Sequence, residues 1–184
     1  MLYHIEHQFE EPIKSWHWNL VEEVASHFPS LVWTKNQKLA AHFTLKYKFE
    51  TDKIEELESV LENFTQSHKP APVSVDGFDH FNNEAVFAKV GISAEVRIVF
   101  GDLMESLKKI PWMQWKQYDD ANLHFHMTIA EKCGGRGGEV LEFLQGKQKN
   151  FNVQLNSISI LKCINKDESG MEFWDLYKKY SLKP

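Results

Sequence analysis

Apolar and polar residues recur along this chain with two different periods, and each period predicts a type of secondary structure. Alternation with a period of two, or a short apolar run between turn residues, indicates a β-strand. On this basis we predict strands at residues 3–9, 31–33, 39–49, 73–78, 85–90, 123–131, 151–163 and 172–180. Polar stretches between them predict turns at residues 35–38, 80–84 and 165–170.

Apolar residues spaced three or four positions apart predict helices between these strands. The predicted helices cover about residues 12–28, 52 to the prolines at 70 and 72, 94–109, and a short stretch to about 147 that follows the glycine-rich residues 134–138. Pro12 suits the first turn of a helix. Asp52, followed three residues later by Glu55, resembles a capping box.

Two of the predicted strands contain the same pattern of His, apolar, Thr, apolar. The copies, which we call the tetrads, are His-Phe-Thr-Leu at residues 42–45 and His-Met-Thr-Ile at residues 126–129. Two such matches arise by chance in about one of a hundred chains of this composition. Because side chains alternate along a strand, the His and Thr of each tetrad should share one face, and the apolar pair should point into a core.

The order of the predicted elements repeats along the chain. Each half places its tetrad strand between helices, which indicates an architecture of two similar α+β lobes. No linker or low-complexity stretch divides them, so we expect residues 1–184 to form a single two-lobed domain. A cleft between the lobes would bring the tetrads face to face.

The composition limits which class of ligand and which cellular compartment the sequence predicts. The net charge is −5 at pH 7, and the only arginines are Arg97 and Arg136. A protein that binds a long duplex usually has a basic face, so this balance favours a short or small phosphate ligand. Cys133 and Cys163 are too few for a disulfide framework. With no secretory signal and no apolar stretch long enough for a membrane span, the sequence predicts a cytoplasmic protein with reduced thiols.

The two tetrads, their spacing and the element order resemble the two-histidine (2H) phosphoesterase superfamily, specifically its LigT-like or 2'-5' RNA ligase-like group. The resemblance covers nearly the whole chain. It implies a bilobal α+β LigT-like fold, with two pseudo-symmetric antiparallel-sheet lobes, helices outside and a central cleft. It also implies activity on cyclic phosphates or phosphodiesters at the 2' position of nucleotides or RNA, with no metal cofactor.

Opening a cyclic phosphate requires a base that deprotonates water and an acid that protonates the leaving ribose oxygen. Imidazole suits both roles, because its unperturbed pKa of about 6.5 is close to the operating pH. The resemblance assigns His126 as the general base and His42 as the general acid, an order that the residues themselves do not fix. Thr44 and Thr128 would bind the phosphate by donating hydrogen bonds to its non-bridging oxygens.

Three further residues are secondary site candidates. Lys46 lies on the predicted face of the first tetrad and could meet a phosphate, with a solvated lysine at a strand end as the alternative. Arg136 lies in a glycine-rich loop whose N–H groups could bind an anion, with a simple connection as the alternative. His124 shares a face with His126. Because no HExxH or CxxC motif accompanies the two residues, a supporting role for His124 is favoured over a metal site. Candidates for stacking a base are Trp33, Phe81, Trp112, Trp115 and Tyr118.

The sequence therefore predicts a metal-independent phosphodiesterase acting on 2',3'-cyclic phosphates or 2'-5' linkages, with 2'-5' RNA ligation as the possible reverse reaction. The expected partner is a small nucleotide or single-stranded RNA, with no membrane and no obligate protein partner. An alternative from another class is a non-catalytic nucleotide- or RNA-binding module on the same fold. A pure binding protein would not need both imidazoles, so the two complete tetrads favour the enzyme.

Overall fold

A computed structural model describes residues 1–38 and 40–183, except the side chain of residue 122. Within them the strands are β1 (Leu2–Gln8), β2 (His42–Glu50), β3 (Ala71–Phe81), β4 (Ala85–Ile92), β5 (His126–Glu131), β6 (Phe151–Leu155), β7 (Ser157–Lys166) and β8 (Glu172–Ser181). The α-helices are α1 (Ile13–His27), α2 (Trp33–Gln37), α3 (Ile54–Ser67), α4 (Ala94–Lys108) and α5 (Gly137–Leu144), with a 3-10 turn at Asp120–Asn122. None of the described helices is both long enough and apolar enough to cross a membrane.

The strands form two four-stranded sheets. The first sheet has the order β2-β1-β7-β8, and the second has the order β5-β4-β3-β6. Every pairing within them is antiparallel. The predicted α+β fold with two antiparallel lobes is thus confirmed, and each tetrad strand is an edge strand of its own sheet.

The prediction of one strand over residues 151–163 is wrong, because this stretch forms two strands that belong to different sheets. Strand β6 ends at Leu155 and pairs with β3, whereas β7 begins at Ser157 and pairs with β1 and β8. The carbonyl of Asn156 between them accepts a hydrogen bond from the N–H of Leu182 (2.9 Å). The apolar–polar alternation changes phase at the adjacent polar residues Asn156 and Ser157, where the chain passes from one sheet to the other, and the prediction of a single strand did not take account of this break. The C-terminal hairpin β7–β8 therefore completes the lobe that β1 and β2 begin.

Helix α2 takes the place of the short strand and the polar turn predicted in that region. Thr34 of this helix is buried, and its Oγ1 accepts the N–H of Glu131 in β5 (3.0 Å). The helix ends at Lys38, which adopts the left-handed conformation (φ 54°). Residue 39, predicted as the start of the first tetrad strand, lies outside the described residues, and β2 begins at His42.

Several element boundaries also differ from the predictions. The predicted capping box of Asp52 and Glu55 does not form, because α3 begins after Lys53 without a side-chain cap. Instead, the N–H of Lys53 donates to Thr51 Oγ1 (2.9 Å), which supplies a local acceptor just before the helix. The second tetrad strand begins at His126, three residues later than predicted.

The hydrophobic core lies behind the tetrads. Phe43, Leu45, Met127 and Ile129 are at most 1% exposed and belong to one continuous core cluster. Because these residues alternate with the His and Thr residues, their burial turns the polar side chains of each tetrad away from the core.

Candidate active site

The two tetrad strands, β2 and β5, contact each other along their edges and border a cavity of about 320 Å³. His42, Thr44, His126 and Thr128 all line this cavity. Its volume falls within the range of small-molecule sites in proteins. The structure thus brings the polar side chains of both tetrads to one site.

Each tetrad histidine is oriented by the backbone carbonyl two residues before it. His42 Nδ1 donates to the carbonyl of Ala40 (2.8 Å), and His126 Nδ1 donates to the carbonyl of His124 (2.7 Å). A carbonyl oxygen can only accept, so Nδ1 must carry the proton in each ring. In the neutral ring this leaves Nε2 as the basic nitrogen, the atom that can exchange protons with a ligand.

The same β-bulge occurs at the last residue of each tetrad. A shift in register makes Leu45 the extra residue in β2 and Ile129 the extra residue in β5. One inserted residue reverses the alternation of side chains beyond it. Tyr47 and Glu131, which strict alternation would direct into the core, therefore line the cavity. Sequence reasoning missed both, because a bulge leaves no mark in the apolar–polar pattern.

The bulge also corrects the predicted orientation of Lys46. Its side chain turns into the core and is fully buried. The ammonium group forms an ion pair with Asp119 Oδ2 (2.8 Å) and donates to the carbonyl of Gln114 (2.7 Å). Lys46 is therefore a structural residue behind the site and does not line the cavity.

Side chains from outside the sheets fix the backbone just after each tetrad. Asp119 Oδ1 accepts a hydrogen bond from the N–H of Tyr47 (3.0 Å). Thr34 Oγ1 accepts one from the N–H of Glu131, the equivalent residue of β5. His17 of α1 donates from Nε2 to the carbonyl of Thr128 (2.6 Å). Burial lowers the pKa of His17, so this imidazole is neutral and acts as a fixed donor.

The two tetrad imidazoles have different surroundings. Glu6 Oε2 lies 3.5 Å from His42 Nε2, whereas the ring of His126 lies against Phe81 and Phe87, with centroid distances of 5.0 and 5.1 Å. Burial lowers the pKa of both imidazoles, and at His42 the charge of Glu6 opposes that fall. The pKa of each imidazole lies below its usual value, and the charge of Glu6 is the influence that distinguishes His42 from His126.

His124 is an exposed residue that supports the site from the side of His126. Its carbonyl orients His126, and its ring packs edge-on against Phe81 and Phe87, with centroid distances of 5.1 and 5.5 Å. The ring is not part of the cavity wall.

Arg136 and its glycine-rich loop also lie outside the cavity wall. The guanidinium group pairs with Glu139 (2.9 Å). The N–H groups of Gly134 and Gly135 donate to the carboxylate of Glu84, at 3.2 and 3.0 Å. The anion at this loop is thus a side chain of the protein itself, and the predicted anion site for a ligand is not formed there.

Aromatic residues border the cavity, but most differ from those proposed as stacking surfaces. Phe81 lines it, while the four other candidates are absent from its wall as described. Trp174 of β8 lines it instead, with its ring 4.3 Å from that of His4. Lys48 at the wall pairs with Glu172. The alternation of β8 gave no reason to single out Trp174, because its contact with the site depends on the pairing of β7 and β8.

Within the described residues, no group of three or more His, Cys, Asp or Glu side chains is arranged to hold a metal ion. The ring centroids of His124 and His126 lie 6.0 Å apart.

A family model described as the 2'-5' RNA ligase superfamily matches residues 10–166. No curated protein matches the chain. Among solved structures, TT0787 of Thermus thermophilus is similar over 99% of this chain and 98% of its own, with a TM-score of 0.61 and 14% identity. E. coli LigT in complex with 3'-AMP is similar over the same shares, with a TM-score of 0.64 and 11% identity. A structure described as a phosphoesterase matches with a TM-score of 0.66 and 12% identity, covering 99% and 98% of the two chains. At these identities the structural likeness shows the fold.

Proposed function

We propose that this chain, which belongs to the 2'-5' RNA ligase superfamily, is a metal-independent phosphodiesterase that opens 2',3'-cyclic phosphates or cleaves 2'-5' linkages. The observation that carries the proposal is that the two tetrad imidazoles and the two tetrad threonine hydroxyls, one of each from either lobe, meet in one cavity. An acid and a base on opposite sides of one phosphate are what an in-line displacement at phosphorus requires.

In the proposed reaction His126 acts as the general base and His42 as the general acid. His126 Nε2 takes a proton from water, whose oxygen attacks the phosphorus atom. The bond from phosphorus to the leaving ribose oxygen breaks, and His42 Nε2 gives that oxygen a proton. The carboxylate beside His42 and the apolar rings beside His126 support this order. The same two groups with reversed roles would serve 2'-5' ligation.

Thr44 and Thr128 are the proposed phosphate-binding residues. Replacing either with valine keeps the shape and removes the hydroxyl donor, so kcat/KM for a cyclic nucleotide should fall about 100-fold. Thr65→Val is the matched control, because Thr65 is buried in α3 and its Oγ1 donates to the carbonyl of Leu61. Steady-state kinetics of the three variants measure the effect, and equal kinetics for all three would exclude a role for the tetrad hydroxyls.

The proposed substrate class is a small nucleotide or short single-stranded RNA. E. coli LigT, which shares the fold, holds 3'-AMP in its solved structure. In this chain Trp174, Tyr47 and Phe81 supply aromatic surface at the cavity on which a base would stack, and Lys48 supplies positive charge. The cavity volume of about 320 Å³ suits a nucleotide better than a duplex.

Incubation with the four 2',3'-cyclic nucleotides in the presence of a chelator tests the proposed function directly. Turnover that is insensitive to the chelator is the expected result. Binding without turnover would favour the alternative, a nucleotide-binding module on the same fold, and turnover lost with the chelator would exclude the metal-independent mechanism. A product analysis by chromatography identifies the phosphate isomer in the same assay.

The proposal treats residues 1–184 as one two-lobed unit, because each lobe supplies half of the site. It also includes a cytoplasmic location, the compartment in which free thiols such as those of Cys133 and Cys163 persist.

A further inference from the structure

A carboxyl group is buried beside the polar side chains of the first tetrad. Glu6 lies on β1 in the middle of the first sheet, opposite Thr44 of β2 and Ser159 of β7, and is fully buried. Burying an ionisable group carries a large cost unless it is paired or hydrogen-bonded. Burial raises the pKa of Glu6 to about 7, and the neighbouring His42 opposes the rise.

The contacts of Glu6 point to His42. Oε2 accepts a hydrogen bond from His4 Nε2 (2.8 Å) and lies 3.5 Å from His42 Nε2. Burial lowers the pKa of His4 to about 3, so His4 is a neutral donor that holds the carboxylate in place. The distance to His42 is too long for a strong hydrogen bond, so Glu6 acts on that ring by charge and leaves Nε2 free for a ligand. Within the described residues, Glu6 Oε1 has no hydrogen-bond partner.

The second lobe lacks this arrangement although it repeats the tetrad and the bulge. Phe87 is opposite Thr128, as Glu6 is opposite Thr44. Ala85 lies two residues before Phe87, in the position equivalent to that of His4, and it lines the cavity. The carboxylate is thus a feature of one lobe and not a requirement of the fold.

We propose that Glu6 is a positioning residue that keeps a proton on His42, and thereby makes His42 the acid and leaves His126 the base. The inference rests on the proposed function. Before the reaction Glu6 and His42 share one proton; when the proton is on His42 the Glu6 carboxylate stabilises the imidazolium, and the Nε2 proton then passes to the leaving ribose oxygen. His126, which has taken a proton from water, and His42, which has given one, return to their starting states by exchange with solvent.

Few other groups of the described residues face Glu6 and His42. His4 and Gln8 belong to β1, as Glu6 does, and the buried Ser159 lies opposite Glu6 on β7. His17 of α1 faces His42. The charges of Lys48 and Glu172 act on His4 with opposite signs. Glu6 is the anionic group among those that influence the pKa of His42.

Glu6→Gln tests the inference, because the amide has the shape of the carboxyl group and no charge. An opposite charge at this distance changes a pKa by about 1 unit or more. Without it the pKa of His42 should fall, so the alkaline limb of the kcat/KM profile for a cyclic nucleotide should move about 1 pH unit lower, while the acid limb set by His126 stays. Nitrogen NMR of the two imidazoles, recorded against pH, should show the same selective change at His42.

Two further variants sharpen the experiment. His4→Gln removes the imidazole that holds the carboxylate, and should move the alkaline limb in the same direction by a smaller amount. Glu131→Gln is the matched control, a carboxyl group in the other lobe at the wall of the same cavity, and should leave the titration of His42 unchanged.

An unchanged His42 titration in Glu6→Gln would overturn the inference, and so would movement of the acid limb in place of the alkaline limb. If the wild type turned over no cyclic nucleotide, the proposed function would fail. The NMR titration would still decide in that case whether Glu6 controls the protonation of His42.

Discussion

Replacing either His42 or His126 with alanine should lower the turnover of 2',3'-cyclic nucleotides by about 10²- to 10⁴-fold and leave the fold intact. Each ring lines the cavity and contributes an Nε2 atom that no other side chain in the wall can replace in the same position. The apolar residues that anchor the two strands remain in the core, so the variants should unfold at nearly the same temperature as the wild type.

Asparagine at either position provides a stricter test. Its amide can donate to the carbonyl that Nδ1 contacts in the wild type, at Ala40 or His124, but it supplies nothing at Nε2. We therefore expect the asparagine variants to be as inactive as the alanine variants. The double variant should be little worse than either single one, because the two groups act in one step.

His27→Asn is the control, since His27 is an exposed residue in the last turn of α1. Single-turnover kinetics and thermal unfolding of all variants make the comparison. If His42→Ala and His126→Ala both retained near wild-type hydrolysis of substrates that the wild type turns over, the assignment of the two rings would be wrong.

Asp119→Asn should destabilise the protein by about 3–5 kcal/mol, the typical result of removing one partner from a buried ion pair. The ammonium group of Lys46 is fully buried, and Asp119 is its carboxylate partner at 2.8 Å. The amide oxygen of asparagine can still accept the N–H of Tyr47. The amide nitrogen takes the place of Oδ2 and cannot accept from Lys46 Nζ or from the N–H of Lys116 (2.7 Å), so the variant removes the charge together with these two hydrogen bonds. Urea unfolding measures the change in free energy.

The double variant Lys46→Met/Asp119→Asn should recover most of the lost stability, because removing both charges leaves no buried ion without a partner. Glu23→Gln is the matched surface control, since the pair of Glu23 with Lys147 (2.7 Å) is partly exposed. That variant should change the free energy of unfolding by less than about 1 kcal/mol. A destabilisation in Asp119→Asn that the second substitution did not relieve would show that the hydrogen bonds of Asp119, and not its charge, hold β2.

The predictions for His42 and for Asp119 concern residues on the two sides of the bulge at Leu45 in β2. His42 and Thr44 before it face the cavity, and Lys46 immediately after the extra residue enters the core. Without the bulge Lys46 would face the ligand and Tyr47 would face the core. A single inserted residue therefore decides which side chains belong to the site and which belong to the structure behind it.

The sequence by itself determined the local features of this protein. The period of two within each tetrad sends His42 and Thr44 to one face and buries the residues between and after them, because alternation depends only on the extended backbone. Helical spacing similarly located α1, α3 and α4. The repeat of the tetrad at residues 126–129 predicted the family, to which the chain belongs.

The tertiary structure alone decided the features that depend on pairing between distant segments. Strand register set the bulges and so brought Tyr47 and Glu131 to the cavity. Pairing of β1 with β2 put Glu6 beside His42, and the return of β8 to the first sheet brought Trp174 to the wall. None of these contacts is visible in a local pattern, because register between strands is fixed by the packing of whole sheets and not by the residues of one strand.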